Sequence, residues 1–354
     1  MKKIYSALGL MSGTSLDGID ASIISSDGEK SIKIEENEYY PYESSYKEKL
    51  SQFITNCDSR DFIENNRDEY TKLERQLTMD HAEISNKILK KFTHFLDFVG
   101  FHGQTIIHKP REGYSIQMGD GKLLSQLLKK KVFSNFRMND IQNKGEGAPL
   151  AGIYHYNLVN YMNIDEPVIF LNIGGISNIS YISKSILESK DIGPGNVLMD
   201  EYLKKIKNEN FDKDGIYATI GNINKKIIES SLKNELYNPR KFHSLDRKNF
   251  NFSFIKGLSF EDGIATLTYF TALIISEFLN NQYTSVKKII LCGGGRKNKT
   301  LINHIKKLTN HKEIINIDTF GINGDFIESQ AFAYLSIRSY LKKNISFPET
   351  TGVK

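Results

Sequence analysis

The fold of this chain can be derived outward from one stretch near its start, Gly9-Leu10-Met11-Ser12-Gly13-Thr14-Ser15-Leu16-Asp17-Gly18-Ile19-Asp20. An apolar run over residues 4–10 leads into its polar centre, and a run rich in β-branched residues follows over residues 19–25. Both runs predict buried strands. The stretch is therefore expected to form a hairpin with a polar, glycine-containing tip.

The tip of this predicted hairpin carries groups that suit a phosphate. Its two glycines permit backbone angles that a side chain would forbid, and they let N–H groups approach an anion closely. Thr14 and Ser15 add hydroxyl donors. Asp17 and Asp20 could hold Mg²⁺ through water, since this ion keeps several waters and takes few carboxylates. An ordinary hairpin turn with solvated acids would have the same composition.

Length and composition narrow the class of protein. The chain has 354 residues, more than one small core organises, so two domains are expected. The formal net charge is +5 and the lysines are scattered, which argues against nucleic-acid binding. The cysteines, Cys57 and Cys292, form no metal-ligand spacing and favour a reducing compartment. Because the first apolar run is broken early, we expect a cytoplasmic protein without a signal peptide or membrane span.

The design of the first hairpin recurs in the second half of the chain. Residues 167–171 predict a buried strand, and residues 179–182 predict a returning strand; between them stands Asn172-Ile173-Gly174-Gly175-Ile176-Ser177-Asn178. Two similar hairpins, one in each half, indicate an internal duplication. A polar, glycine-rich loop marks the boundary between the halves. We therefore expect domains over residues 1–140 and 141–354, with the last helix, about residues 325–343, packing back on the first domain.

Two further loops of the second half are expected to approach an anion. Gly193-Pro194-Gly195 predicts a turn, and Asn196 is a good N-cap for a helix over residues 197–207, whose N-terminus would attract phosphate. Asp191 would face that ligand, although a turn acid satisfied by local N–H groups is the alternative. The triple glycine Gly293-Gly294-Gly295 follows a predicted strand and fits a nucleotide base and ribose against backbone.

The segment after the predicted strand at residues 97–101 and the start of the last helix each have two possible interpretations. A short predicted strand over residues 97–101 delivers His102-Gly103-Gln104-Thr105 at its end, where open α/β sheets place their sites. His102 and His108 are six residues apart, so a helical zinc pair is not expected, and His102 could equally be a histidine hydrogen-bonded under a loop. Asp325 and Glu328 have the spacing of a capping pair at the start of the last helix.

These motifs, in this order, resemble the anhydro-N-acetylmuramic acid kinase family over almost the whole chain. The resemblance rests on the first stretch and on His-Gly-Gln-Thr (102–105), Gly-Glu-Gly-Ala-Pro-Leu (145–150), Leu-Asn-Ile-Gly-Gly-Ile-Ser-Asn (171–178), Gly-Pro-Gly-Asn-Val-Leu-Met-Asp (193–200), Phe-Asp-Lys-Asp-Gly (211–215) and Cys-Gly-Gly-Gly (292–295). Two positions depart from the family pattern. Asn135 stands where the family usually has Asp, and Arg296 stands where a small residue is usual.

The resemblance implies an α/β protein with the duplicated actin-like ATPase and sugar kinase fold, related to ribonuclease H, with ATP and Mg²⁺ in a cleft between two domains. It implies hydrolytic opening of 1,6-anhydro-N-acetylmuramic acid and phosphorylation of its O6, in peptidoglycan recycling. The family's general base maps onto Asp191, and Glu328 matches an acid near the sugar. The expected ATP-binding residues are Gly13, Thr14, Ser15, Leu16, Asp17, Gly18, Ile19, Asp20, Gly174, Gly175, Asn178, Gly293, Gly294 and Gly295. The expected substrate-binding residues are His102, Gln104, Thr105, Arg137, Gly193, Pro194 and Asn196.

A homodimer is also expected, as is domain closure on the nucleotide. Two alternatives stay open at this level. The first is a kinase for a related sugar or polyol on the same fold. The second is an actin-like binding protein that is switched by a nucleotide, since fold identity alone does not determine the substrate.

Overall fold

The computed structural model describes residues 2–13, 15–233, 245, 250–310 and 312–354. The chain divides into two compact units. Unit 1 comprises Met1–Asn163 and Phe326–Lys354, and unit 2 comprises Ile164–Asp325. The sequence analysis placed this boundary at residue 140 instead. The structure keeps residues 141–163 in unit 1 because their helix packs on the last long helix, where Tyr154 Oη donates to Gln330 Oε1 at 2.9 Å.

The described part of unit 1 contains one six-stranded sheet and flanking helices. Its strands are β1 (Tyr5–Ser12), β2 (Gly18–Ser26), β3 (Ile32–Pro41), β4 (Phe98–Lys109), β5 (Tyr114–Met118) and β6 (Lys131–Ser134). Its helices are α1 (Ser44–Asn56), α2 (Arg60–Asn65), α3 (Arg67–Lys91), α4 (Gly121–Leu128), α5 (Met138–Gln142), α6 (Gly152–Met162), α12 (Ile327–Tyr340) and α13 (Pro348–Thr351).

Unit 2 contains, within its described residues, a five-stranded sheet. Its strands are β7 (Val168–Ile173), β8 (Ile176–Ser183), β9 (Ile186–Pro194), β10 (Lys288–Cys292) and β11 (Glu313–Asn316). Its helices are α7 (Val197–Lys207), α8 (Ile216–Ile220), α9 (Lys225–Ser231), α10 (Phe260–Gln282) and α11 (Lys299–Leu308).

Five strands have the same topology in both sheets, since β1, β2, β3, β4 and β6 correspond to β7, β8, β9, β10 and β11, and unit 1 has β5 in addition. The strand order is β3-β2-β1-β4-β5 in unit 1, with β6 also paired to β4, and β11-β10-β7-β8-β9 in unit 2. In each unit the first three strands form an antiparallel meander, and the next strand lies parallel to the first. Short turns suffice for the meander, whereas parallel neighbours need a crossover that contains helices. The duplication and the actin-like fold class expected from the sequence are confirmed.

The two faces of the unit 1 sheet are covered by different helices. Alternation along β1 directs Leu8 and Leu10 into the core that α1, α3 and α4 share. On the other face, α12 lies so close that a Cβ on Gly9 would stand 1.8 Å from the carbonyl oxygen of Ser329. Glycine is required at this position because helix backbone occupies the space of a side chain.

Helix α10 is the central helix of unit 2 and contacts α7, α8, α11 and β9. It is long and apolar enough to cross a membrane by length and composition, the only such helix in the described chain. However, 78% of its apolar window is buried inside the structure. We therefore interpret α10 as a core helix that packs on the sheet of its own unit.

Several predicted boundaries are wrong. Strand β4 runs to Lys109, so His102, Gln104 and Thr105 lie inside a strand rather than in a loop after it. The second hairpin has only Gly174 and Gly175 between its strands, since their neighbours continue the pairing of β7 with β8. Both errors have one cause: polar side chains in a strand look like a loop when their partner strand is unknown.

Candidate active site

The tip of the first hairpin joins β1 to β2, as predicted. Neither Gly13 nor Gly18 has a positive φ, so the special backbone angles expected of them are not found, while the close approach of their N–H groups to an anion stays a prediction; Leu16 takes the left-handed conformation instead, with φ 53°. Its N–H donates to Gly13 O at 3.2 Å. Gly18 is required by packing, because a Cβ there would stand 2.2 Å from Tyr40 O. Thr14 lies outside the described residues.

The tip also presents carboxylates. Asp17 is exposed and accepts a hydrogen bond from Ser15 Oγ, while Asp20 is half-buried in β2. Burial, followed by the charges of these two acids, raises the pKa of Tyr39 to about 12, and its hydroxyl donates to Asp17 O at 2.9 Å. Oxygen donors of this kind suit Mg²⁺ with several retained waters. No group of three or more His, Cys, Asp or Glu among the described residues could hold a metal, so the set fits only an ion bound largely through water.

In unit 2 the turn between β7 and β8 is joined to the start of α7. Gly195 N donates to Gly175 O at 2.9 Å, and Asn196 N donates to Gly174 O at 2.8 Å. A Cβ on Gly195 would stand 2.2 Å from Gly174 O, so only glycine allows this approach. Asn196 is the N-cap residue of α7, as predicted, although its side chain makes no capping hydrogen bond. The helix N-terminus still provides partial positive charge next to the turn.

The triple-glycine loop after β10 lies against the same turn. Gly293 has φ 76°, and a Cβ there would stand 2.2 Å from Asn172 Oδ1. A Cβ on Gly295 would stand 2.9 Å from Asn196 Oδ1. Gly294 is exposed, and no described atom lies within 4 Å of its Cβ position. Backbone from three segments of unit 2 therefore converges at the carboxyl ends of β7 and β10.

Three polar residues form a row across the unit 2 sheet. Asn172 of β7 pairs with Asn178 of β8, and Asn178 pairs with Asp191 of β9. Residues opposite each other in adjacent strands project from the same face, so the three side chains share a face. Asp191 is only 7% exposed, and its Oδ2 accepts from Leu245 N at 2.7 Å. This donor lies 54 residues along the chain, so Asp191 is more than a turn acid held by its neighbours.

Gly193 and Pro194 are the last residues of β9 rather than the start of a turn. Gly193 has φ 148°, and a Cβ there would stand 2.7 Å from Ile274 Cγ2 of α10. Pro194 O accepts from Ser177 Oγ at 3.1 Å. These contacts hold the strand that carries Asp191 between β8 and α10.

His102 of β4 is buried and uncharged. Its Nδ1 donates to Gly103 O at 2.9 Å, and its Nε2 accepts from Arg137 Nε at 3.1 Å. Burial, and then the charge of Arg137, hold the pKa of His102 well below its usual range. The ring packs on Phe332 of α12 with centroids 4.4 Å apart. Both ring nitrogens are thus hydrogen-bonded within the protein, and His102 orients the guanidinium beside it.

Gln104 is held by the first strand. Ser12 Oγ donates to Gln104 Oε1 at 2.7 Å, and Tyr42 Oη lies 2.8 Å from the same Ser12 Oγ. Since the Ser12 proton goes to Gln104, Tyr42 donates the second hydrogen bond. The next residue, Thr105, accepts at Oγ1 from Gln117 Nε2 at 3.4 Å. The amide of Gln104 is therefore oriented by β1, the strand that leads to the first hairpin tip.

Arg137 stands just before α5, and its Nη1 donates to Gly147 O at 2.8 Å. Asn135, one of the two departures from the family pattern, precedes it by two residues. It has φ 60°, in the left-handed region, where Asn is tolerated better than most residues. Asp shares this tolerance, so nothing in the structure explains the amide in place of the family's Asp.

The predicted capping pair at the last helix is wrong. Asp325 lies before α12 and pairs with Arg296 instead, with Nη1 and Oδ1 2.6 Å apart. Arg296, the second departure, has a side chain only 1% exposed and also contacts Asp318 at 3.0 Å. It donates to Gly293 O at 3.0 Å, so it braces the triple-glycine loop rather than entering a base pocket. Glu328 is half-buried in the first turn of α12.

Sequence reasoning missed some residues of these networks. Asn172 lay inside the quoted turn and could have been found by pairing the predicted strands, which sets it opposite Asn178. Ser12 was quoted but given no role, and Tyr42 gave no signal, because their contact depends on tertiary structure. Asp140, whose partner Thr351 is 211 residues away, could not have been found from spacing.

Two sheets of related topology, with glycine-lined loops at the strand ends of unit 2, define the actin-like ATPase and sugar kinase fold. The family model for anhydro-N-acetylmuramic acid kinase matches residues 5–354. The anhydro-N-acetylmuramic acid kinase of Pelagibacter ubique (strain HTCC1062) is 46% identical over 364 residues, which cover 100% of this chain and 97% of that relative. The enzyme of the same name from Zymomonas mobilis subsp. mobilis is 37% identical, with 98% and 96% covered.

Among solved structures, the activator of the 2-hydroxyisocaproyl-CoA dehydratase from Clostridium difficile with bound ADPNP has a TM-score of 0.46 at 15% identity, covering 97% of this chain and 100% of that chain. The alignments with the two sequence relatives cover nearly the whole length of those proteins. This chain belongs to the anhydro-N-acetylmuramic acid kinase family. The members of that family are phosphotransferases that phosphorylate anhydro-N-acetylmuramic acid in cell-wall recycling.

Proposed function

We propose that this chain uses ATP to phosphorylate O6 of 1,6-anhydro-N-acetylmuramic acid while water opens the anhydro ring, giving N-acetylmuramic acid 6-phosphate. The observation that carries this proposal is the buried carboxylate of Asp191, on the strand that leads into α7. A base beside an anion-binding helix N-terminus is what ring opening coupled to phosphoryl transfer needs.

Phosphate binding falls to backbone groups in this proposal. The turn at Gly174 and Gly175 and the loop over residues 293–295 offer main chain without side chains, next to the start of α7. Such groups are already oriented before the nucleotide arrives, so they stabilise developing charge without reorganising. The tip of the first hairpin in unit 1 offers a second set of the same kind.

Asp191 is the general base. It takes a proton from a water molecule, whose oxygen adds to C1 of the sugar. The C1–O6 bond breaks, and its electron pair stays on O6. O6 attacks the γ-phosphorus, the bond to the bridging oxygen breaks, and ADP leaves with that electron pair. Leu245 N holds Oδ2 of the carboxylate, which gives the base a defined orientation.

The sugar is bound by residues of unit 1 in this proposal. His102 and Arg137 act together, since the imidazole holds the guanidinium. Gln104 presents an amide whose oxygen is already engaged by Ser12. Glu328, at the start of α12, serves as the acid near the sugar. Gly193, Pro194 and Asn196 are the other residues that the family resemblance assigns to the sugar.

Mg²⁺ would be held through water by Asp17 and Asp20. When bound, it supplies neutralisation of the phosphate charge. The contribution of this chain is the exposed carboxylate at the hairpin tip and the hydroxyl of Ser15 beside it.

We further propose a cytoplasmic homodimer that has no nucleic-acid or membrane partner. Exposed apolar side chains of unit 2 support the dimer: Phe211, Ile216 and Ile220 are 61%, 57% and 66% exposed, and a second copy would cover them. The scattered lysines form no basic stripe of the kind that nucleic acids require. Light scattering of the purified protein measures the oligomeric state.

The proposed reaction is tested by coupled detection of ADP release with anhydro-N-acetylmuramic acid, in water enriched in ¹⁸O. We expect release only with Mg²⁺ and this sugar, and one heavy oxygen at C1 of the phosphorylated product. Release with a related sugar or polyol instead would identify the alternative kinase. Release that needs no acceptor would favour a nucleotide-switched binding protein.

A further inference from the structure

The last residues of the chain are hydrogen-bonded to a loop of unit 1. We call residues 347–354, which include α13, the tail. We call residues 137–147, which comprise Arg137, α5 and the loop after it, the arginine loop. Glu146 N donates to Thr351 O at 2.8 Å, and Lys354 N donates to Asn143 O at 3.0 Å. Thr351, which is fully buried, donates from Oγ1 to the carboxylate of Asp140 at 2.5 Å. The tail therefore contacts the arginine loop through both backbone and a buried side chain.

Asp140 is the centre of the arginine loop. It is 2% exposed, and its second carboxylate oxygen accepts from Gly147 N at 2.6 Å. Gly145 N donates to Asp140 O at 2.9 Å, and a Cβ on Gly145 would stand 2.1 Å from the carboxylate. A buried carboxylate is stable only if donors surround it. The carboxylate of Asp140 thus joins Gly147 of the arginine loop to Thr351, which supplies one of its donors.

The other side of the same loop holds the guanidinium assigned to the sugar. Gly147, which donates to Asp140, accepts at its carbonyl oxygen from Arg137 Nη1 at 2.8 Å. Arg137 Nε in turn donates to His102 Nε2 at 3.1 Å. An unbroken series of hydrogen bonds therefore runs from Thr351 through Asp140, Gly147 and Arg137 to His102. Four of these five residues are buried, and Arg137 is half-buried.

We propose that the tail is a positioning element for the sugar site: Thr351 and Asp140 hold Arg137 and His102 in the geometry that binds the substrate. The proposal rests on the assignment of Arg137 and His102 to the sugar in the proposed function. Thr351 and Asp140 are positioning residues, since each acts through Gly147 and Arg137. Planar guanidinium recognition depends on orientation, so a small displacement of the loop weakens sugar binding.

The test is steady-state kinetics of three full-length variants. Thr351→Val removes the hydroxyl and keeps the shape, and Thr351→Ser keeps the hydroxyl. Thr309→Val makes the same change at a buried threonine of unit 2, the C-cap of α11, whose Oγ1 donates to Ile305 O. Because Thr351→Val removes a hydrogen-bond donor to a buried carboxylate, we expect KM for the sugar to rise about tenfold in this variant. KM for ATP stays within about twofold, because the described hydrogen bonds that leave the tail go to the arginine loop and not to the residues assigned to ATP. Thr351→Ser and Thr309→Val keep the wild-type KM for the sugar.

The inference is overturned if Thr351→Val lowers the melting temperature but leaves KM for the sugar unchanged, or if it raises both KM values equally. Should Thr351→Val yield no folded protein, Asp140→Asn replaces it. An amide can keep both hydrogen bonds but loses the charge, and about a threefold rise in KM for the sugar is expected. An unchanged KM in that variant also overturns the inference.

A further variant separates this inference from the proposed function. Arg137→Lys loses the planar donor fork and should raise KM for the sugar more than Thr351→Val does. If Arg137→Lys has the wild-type KM, the assignment of Arg137 to the sugar is wrong. If Arg137→Lys is impaired and Thr351→Val is not, only the role of the tail is wrong.

Discussion

Acidification is expected to unfold unit 1 because its buried histidines bind protons much more weakly in the folded state than in the unfolded chain. Burial lowers the pKa of His81 from 6.5 to about 4, and it lowers the pKa values of His108 and His155 to about 3. The pKa of His102 is lowered in the same direction. All four residues lie in unit 1. In the unfolded chain each would bind a proton below pH 6.5.

The stability of unit 1 therefore decreases as the pH falls, because each of these pKa values is lower in the folded state than in the unfolded chain. Each histidine stabilises the folded state fully above its unfolded pKa, and this stability is lost as the pH falls from 6.5 towards the folded pKa. Each histidine then contributes a slope of about 1.4 kcal/mol per pH unit, hence a loss of about 2 kcal/mol each by pH 5. Three or four such losses are comparable with the whole stability of an ordinary domain, about 5–15 kcal/mol.

The assay is urea unfolding as a function of pH, with hydrogen exchange to locate the loss. We expect peptides from β4 to lose protection at pH 5 before peptides from β10. In His81→Gln the slope of unfolding free energy against pH should fall by about 1.4 kcal/mol per pH unit between pH 4 and 6.5. The exposed His94→Gln is the matched control and should keep the wild-type slope. Equal slopes for His81→Gln and wild type would refute the reasoning.

Two further substitutions test the packing of unit 1 and the orientation of Gln104. Gly9→Ala sets a methyl group 1.8 Å from Ser329 O and should destabilise the protein by about 3 kcal/mol or more in urea unfolding. The control is Gly13→Ala, whose methyl group would lie 3.8 Å from Ser15 Oγ and should cost less than about 1 kcal/mol. Similar losses in both variants would contradict the packing of α12 on β1. Tyr42→Phe removes the hydrogen-bond donor to Ser12 and should lower the free energy of unfolding by about 1 kcal/mol. It should also raise KM for the sugar a few-fold without changing KM for ATP. A change confined to KM for ATP would be evidence against the orientation assigned to Gln104.

The sequence predicted the architecture well because the strongest signals were local. The apolar runs on either side of the first and second hairpin tips gave the paired strands, and the recurrence of that pattern indicated the duplication. Hydrophobic periodicity depends only on neighbouring residues, so it survives without knowledge of the fold.

What the sequence could not reveal depends on contacts between distant residues. Gly9 looked like any strand glycine, yet it is required by the backbone of α12 more than 300 residues later. Asp325 and Glu328 had the spacing of a cap, but the ion pair of Asp325 with Arg296 places Asp325 outside the helix. In each case a tertiary contact overrides a local preference, and spacing alone does not report it.

The residues of the candidate site divide in the same way. The glycine loops were found because glycine at strand ends is a local signal, but the reason for Gly18 was found only in its packing against Tyr40. His102 and Gln104 were found as residues but misplaced, since β4 extends through both of them to Lys109. The roles of the site residues stay predictions that kinetics must test.

The general base is the central claim, and Asp191→Asn tests it most directly. The variant keeps the size of the side chain and an acceptor for Leu245 N, while it removes the proton acceptor for the attacking water. With the exposed Asp58→Asn as control, we expect turnover of anhydro-N-acetylmuramic acid to fall by about 10²- to 10⁴-fold in Asp191→Asn, with unchanged ATP binding by calorimetry. Turnover close to that of the wild type, with ATP binding intact, would contradict the account.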